Sequence, residues 1–222
     1  METNNIKEMA SETKLPLKKE KKNWTKSILT LILGIIVAHL GVAFFLLAEL
    51  GSDPFTVFVD GLSKLIHSSV GTAHVLFLVT LMVIMLFTTK GYIKVGSVIF
   101  AFCGGPVIDF GIWAFGRFIN ADASIILRAL SMVFGCITLA LGIAITICSN
   151  AGAGPNDLIS VIFADKLHKQ LRCVRMAVDA IFVVTGFLLG GKIGVGTVVA
   201  VLLVGPSIQF WLKLTKKVLG EM

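Results

Sequence analysis

Two glycine- and proline-marked breaks hold most of the polar side chains that could do chemistry in an otherwise apolar chain. Glu49 and Asp53 flank the break from Gly51 to Pro54 in AELGSDPF, and Asn150, Asn156 and Asp157 flank the break from Gly152 to Pro155 in SNAGAGPND. A third acid, Asp109, lies inside the apolar run GGPVIDFGIW, with Gln209 at the matching place in VGPSIQF. Inside a membrane, broken helices free backbone N–H and C=O groups, which persist only where protein or a wet cavity satisfies them. Proline suits the first turn of a helix, so each break would face the positive end of the segment that follows it. These eleven positions form the candidate substrate site. The competing reading makes the breaks tight interfacial turns whose carboxylates cap helices into water.

Asp109 is the sharpest single candidate, because a carboxylate within a span is costly and faces a cavity or a partner. Pro106, three residues earlier, predicts a kink and a free carbonyl nearby. The expectation is that Asp109 faces the bundle interior beside the Glu49 to Pro54 break, where two acids could exchange a proton. An acid snorkelling to water at a helix end is its plain alternative. Asp179 follows Arg175 by one turn and reads as an i,i+4 ion pair. His39 and His74 fall in apolar helices and read as packed core histidines, while His67 and His168 close short segments and read as solvated.

Nothing in the chain points to catalysis. There is no GxSxG, HExxH, Walker loop or dinucleotide fingerprint, and the glycines fall at small-x-x-x-small packing spacing. Cys103, Cys136, Cys148 and Cys173 are scattered and read as small apolar packing residues. A non-enzymatic protein without cofactor or bound metal is expected.

The elements that must position these residues are membrane helices. Of 222 residues, 56% are hydrophobic and 15% charged, and the mean hydropathy is +0.92, against about 45–50% apolar and about 25% charged in soluble domains. Apolar runs at 27–48, 72–89, 95–115, 125–148, 176–190 and 193–212 approach the roughly 20 residues that a spanning helix needs. Six spans are predicted, the one at 176–190 being the shortest. The net charge of +7 sits at the ends of these runs and in a basic tail over residues 1–26, as topology requires, so nucleic acid is not an expected partner. The tail reads as disordered and cytoplasmic rather than as a cleaved signal.

The chain also repeats itself. Gly34, Gly41, Gly51 and Pro54 align with Gly135, Gly142, Gly152 and Pro155. Gly96, Gly105, Pro106 and Phe110 align with Gly196, Gly205, Pro206 and Phe210. Two membrane units, 27–117 and 125–215, each read as long helix, break, short segment and two further helices. The short segments, 54–67 and 155–168, reach roughly 21 Å as helix, against a hydrocarbon core near 30 Å. Re-entrant or interfacial helices follow. Three spans per unit is an odd number, so the second unit must insert upside down, giving an inverted repeat with both termini cytoplasmic. That topology leaves only Lys64, Arg117, Arg128 and Lys192 outside. An eight-span parallel repeat divides the charge almost as well; matched loops of opposite bias favour six.

The paired breaks LGSDPF and AGAGPND, the helix starts SVGTAHV and LRCVRMAVD, and the final helices VGSVIFAFCGGPVIDF and VGTVVAVLLVGPSIQF resemble the YczE/YyaS/YitT family of bacterial integral membrane proteins, on its YczE-like branch. The likeness covers residues 30–213 and implies a permease-like protein of the cell membrane. One departure matters: the family's first break carries Gly-Pro, then an aromatic and Asp, whereas here Asp53 precedes Pro54 and Phe55 and Thr56 follow. No acidic role is carried to position 56. The expected function is transport of a small molecule held between the inverted units, with a non-transporting accessory or ligand-capture subunit as the alternative. The lipid bilayer, a small-molecule substrate and either a second copy or another membrane protein are the expected partners.

Overall fold

The structure is a computed structural model that describes residues 23–88, 93–120, 122–152, 154–169 and 171–219. The basic tail up to residue 22, residues 89–92 with Lys90, and the C-terminal residues 220–222 lie outside them.

Among the described residues the chain forms eight helices and no strand: α1 Trp24–Ala48, α2 Pro54–Leu65, α3 Val70–Thr88, α4 Val95–Phe115, α5 Ile125–Cys148, α6 Pro155–Leu167, α7 Leu171–Leu188 and α8 Val195–Leu219. Five of them, α1, α3, α4, α5 and α8, are long and apolar enough to cross a membrane. The expected span at 176–190 is α7, which begins earlier, at Leu171, and so takes in Arg172, Arg175 and Asp179. Those charges set it apart from the other five. Large apolar side chains such as Phe87, Trp113 and Leu188 stand exposed, the surface that a lipid-facing helix presents.

At the centre, α1 and α5 cross along their glycines. A methyl group at Gly34 would meet the backbone of Thr146, and one at Gly41 would meet the backbone of Leu139 and Gly135. Ascending α1 therefore means descending α5, and the two helices run antiparallel. Close backbone approach through small residues is how helices pack where lipid removes the hydrophobic drive between them. Around this crossing Phe45, Ile108, Met132, Leu139 and Ala200 join one buried apolar cluster.

Both halves break their first helix in the same way. Glu49 and Asn150 each adopt a left-handed conformation with φ of 52°, and each break then bonds to the start of the opposite half's last helix. The Gly196 N–H donates to the Leu50 carbonyl at 2.7 Å, and the Gly96 N–H donates to the Ala151 carbonyl at 3.2 Å. Gly51 has φ of +102°, and a methyl group there would lie 2.6 Å from Thr197 Oγ1, so both conformation and space demand glycine. The exchange is reciprocal: each half closes the break of the other.

The halves differ in one seam. In the first, α3 lies against α4, with Gly71 and Gly105 in mutual backbone contact. In the second, α7 packs on α2 and α6 and has no comparable interface with α8 among the described residues. Gly205, the match of Gly105, has nothing within 4 Å of where a side chain would begin.

Candidate functional site

The short helices α2 and α6 start deep in the bundle. Asp53 caps α2, accepting from the Thr56 backbone N–H at 3.3 Å and from Thr56 Oγ1 at 2.6 Å, and Pro54 is its first residue. Phe55 follows and lies 5.5 Å from the His74 ring of α3, which lies 5.0 Å from the His39 ring in the middle of α1. On the other side, Pro155 is fully buried and opens α6 after Gly154. Gly154 sits against the Phe100 ring, and that ring lies 5.0 Å from His39. The starts of both half-helices thus reach toward His39, each through one intervening ring. The shared reason is sequence: each half has Gly, then Pro at the first helical position, which turns the chain back inward and opens a helix there.

Charge gathers at the same place. Arg175 of α7 lies 3.2 Å from Asp157, in the first turn of α6, and 3.9 Å from Asp179 on its own helix. It is also within electrostatic reach of Asp53. The side chains of Arg175, Asp157 and Asp179 are 52%, 32% and 39% exposed. Two buried polar atoms here have no hydrogen-bond partner: His74 Nε2 and Asn156 Oδ1. His39 does have one, its Nδ1 donating to the Ile35 carbonyl at 2.7 Å.

A second polar region lies at the C-terminal ends of α1, α2 and α4. A cavity of about 400 Å³ opens there, lined by Glu49, Gly51, Asp60, Lys64 and Lys192 together with apolar side chains such as Ile112. Glu49 pairs with Lys192 at 2.8 Å, Asp60 pairs with Lys64 at 2.8 Å, and the Lys192 N–H donates to Asp60 at 2.9 Å. Arg128 of α5 seals the end of α1 by donating to the Ala48 and Glu49 carbonyls.

The candidate residues therefore divide. Asp53, Pro54, Pro155, Asn156 and Asp157 belong to the deep cluster; Glu49 and Gly51 line the cavity. Asn150 and Gly152 form the second break, where Gly152 lies against the α4 start at Ser97. Asp109 does not meet Glu49. It accepts from Ser69 Oγ at 2.6 Å and from the Gly71 N–H at 2.8 Å, tying α4 to the first turn of α3. Pro106 frees a carbonyl near the acid, but the free donors at the start of α3 claim Asp109 instead. Gln209, its match, is exposed on α8.

Comparison with known proteins assigns the chain. The profile of a family described as "Family of unknown function (DUF6198)" matches residues 25–213. The chain belongs to the DUF6198 family. It is 28% identical over 185 residues to "Uncharacterized protein YyaS" of Bacillus subtilis (strain 168), covering 83% of this chain and 92% of that one. It is 23% identical over 178 residues to "Uncharacterized membrane protein YczE" of the same organism, covering 80% and 81%. A third relative, an "Uncharacterized protein" of Haemophilus influenzae, is 25% identical over 195 residues, covering 86% and 87%. No solved structure matches the chain. With five apolar spans and these relatives, this DUF6198 chain is a membrane protein, and its resemblance to YyaS and YczE holds over most of its length.

Arg175 and Lys192 join the polar regions through ion pairs, and His39 and His74, buried as their places in apolar helices predict, lie beside the deep cluster. Arg175 had an adequate partner at i+4, which hid its nearer partner across α6. The two histidines carried one available signal: both fall in apolar helices of the first half, His39 midway along α1 and His74 near the start of α3.

Proposed function

We propose that this protein is a small-molecule transporter whose substrate sits where α2 and α6 begin, between two inverted halves, and reaches it by alternating access. The observation that carries the reading is the approach of both half-helix starts to His39, each through one intervening ring. Antiparallel α1 and α5 and the exchanged Leu50–Gly196 and Ala151–Gly96 bonds support an order-two relation whose axis lies in the membrane plane. In that arrangement α7 is the sixth span, both termini are cytoplasmic and the protein acts as a carrier without catalysis. The unequal seams support access from one side at a time: α3 is shut on α4, while α7 stands away from α8 toward the side of the termini. Arg175, Asp157 and Asp179 are costly as lipid-facing charges, and their exposure fits a wet opening in that gap.

The test is uptake by the full chain in proteoliposomes, using a panel of cationic, neutral and anionic small solutes. Saturable uptake of at least one solute, lost on Asp157→Asn, is expected. Binding of a panel member without any flux would replace this reading with a ligand-capture subunit.

A further inference from the structure

The deep cluster has a charge pattern that selects its ligand. Asp53, Asp157 and Asp179 bring three carboxylates, and Arg175 is the one basic side chain acting on Asp179. Helices α2 and α6 each point an N-terminus here, and each terminus acts as roughly half a positive charge. With all three carboxylates ionised and the imidazoles neutral, about one negative charge is left over. Asp157 and Asp179 are 32% and 39% exposed, so the surplus lines a wet opening and draws one positive charge from outside the chain.

The unpartnered atoms say what kind of cation. His74 is only 4% exposed, its Nε2 lacks a partner, and its ring sits against Phe55 in the first turn of α2. Asn156 Oδ1, in the first turn of α6, is a buried acceptor that also lacks a partner. A metal ion finds little here: among the described residues no three of His, Cys, Asp or Glu gather closely enough to hold one. With its proton on Nδ1, His74 presents Nε2 as an acceptor, and a ligand with N–H donors would then satisfy both atoms. Beside them, Phe55 and Phe182 stand 5.5 Å apart, and Phe182 follows Asp179 by three residues on α7. Aromatic faces next to carboxylates attract ammonium groups and cover an apolar body.

From this juxtaposition we infer that the site binds a primary ammonium carried on a small apolar body, with Asp157 and Asp179 taking the charge, His74 Nε2 and Asn156 Oδ1 accepting N–H bonds, and Phe55 and Phe182 covering the body. The inference rests on the midplane-site reading proposed above. A quaternary ammonium carries the same charge without donors, and a neutral isostere lacks the charge.

The experiment is binding of four probes to the full chain in lipid nanodiscs by calorimetry: 2-phenylethylammonium, its N-trimethyl analogue, 2-phenylethanol and phenylacetate. The primary ammonium should bind at least tenfold more tightly than each of the others. Asp179→Asn should weaken it by tenfold or more while the thermal transition stays cooperative. Asp157→Asn should do the same, and His74→Phe should remove most of the preference over the trimethyl analogue. Equal or tighter binding of the alcohol or the carboxylate overturns the inference, as does a folded protein that binds no ammonium probe. The two readings fail separately: ammonium binding without flux removes transport and keeps this site, and uptake of neutral or anionic solutes keeps transport and removes this ligand.

Discussion

Gly105 and Gly205 hold the same place in the two halves and have opposite surroundings. A methyl group at Gly105 would strike the Gly71 carbonyl and lie 2.5 Å from Val75 Cγ2, while one at Gly205 would meet nothing within 4 Å. One seam is built shut and the other is left apart.

Gly105→Ala should therefore destabilise the protein by about 1–3 kcal/mol, the usual cost of overpacking. Gly205→Ala should be neutral or stabilising by up to about 1 kcal/mol, from helix propensity. Thermal unfolding in nanodiscs gives both signs. If the α7–α8 seam closes during transport, Gly205→Leu will also fold normally yet slow uptake, which a static gap would not predict.

Asp109 holds the closed seam through two donors at the start of α3, and the removal of its carboxylate leaves the Gly71 N–H without a partner. A buried donor so orphaned costs about 1–3 kcal/mol. Asp109→Ala should loosen the seam, lower the unfolding temperature and raise the thiol reactivity of a reporter cysteine at Thr72 in a background free of native cysteines. Asp109→Asn keeps an acceptor and should fall between the two. An unchanged reactivity in the alanine variant would mean that Gly71 and Gly105 hold the seam without the acid.

How much of this was legible in the sequence depends on the range of each interaction. The eight elements were readable because apolar length, Gly and Pro are local signals, and the duplication was readable because Gly and Pro sit where backbone geometry leaves no choice. Asp53 as a helix cap follows from its place before Pro54. The partner of Asp109 was not readable: the choice between Glu49 and the α3 start depends on which helix lies across α4. Arg175 failed in the same way, since Asp179 satisfied it within one turn and nothing local announced Asp157. The lack of a comparable α7–α8 interface among the described residues left no local mark in the sequence.

Glu49 and Lys192 join the first break to the loop before α8 by a partly exposed ion pair, 33% and 52% exposed. Such pairs contribute about 0.2–1 kcal/mol, so their charge should matter more for solute entry than for stability. Glu49→Lys and Lys192→Glu singly should change the unfolding temperature little and lower uptake of a transported solute. The double reversal should recover uptake. Failure of the double variant to recover, with both proteins folded, would locate the effect in the α2 contacts of Lys192 rather than in the pair.

The sidedness of the two halves can be read directly from Asn120 and Lys169. Asn120 lies between α4 and α5, Lys169 lies between α6 and α7, and both are exposed. If α1, α3 and α4 all cross, and α5 runs antiparallel to α1, then Asn120 emerges on the face opposite the N-terminus. Crossing of α5 returns the chain, and α6 stays on that face if it enters and leaves without spanning. Lys169 would then share the face of the N-terminus, next to the basic residues that favour the cytoplasm. In a cysteine-free background, Asn120→Cys should react with a membrane-impermeant maleimide in intact cells, and Lys169→Cys should react only after permeabilisation. Labelling of both from outside would require α6 alone to cross the membrane, and labelling of neither from outside would require both α2 and α6 to cross, making the halves parallel rather than inverted. Antiparallel α1 and α5 weigh against that outcome, because parallel halves would send matched helices the same way across the bilayer.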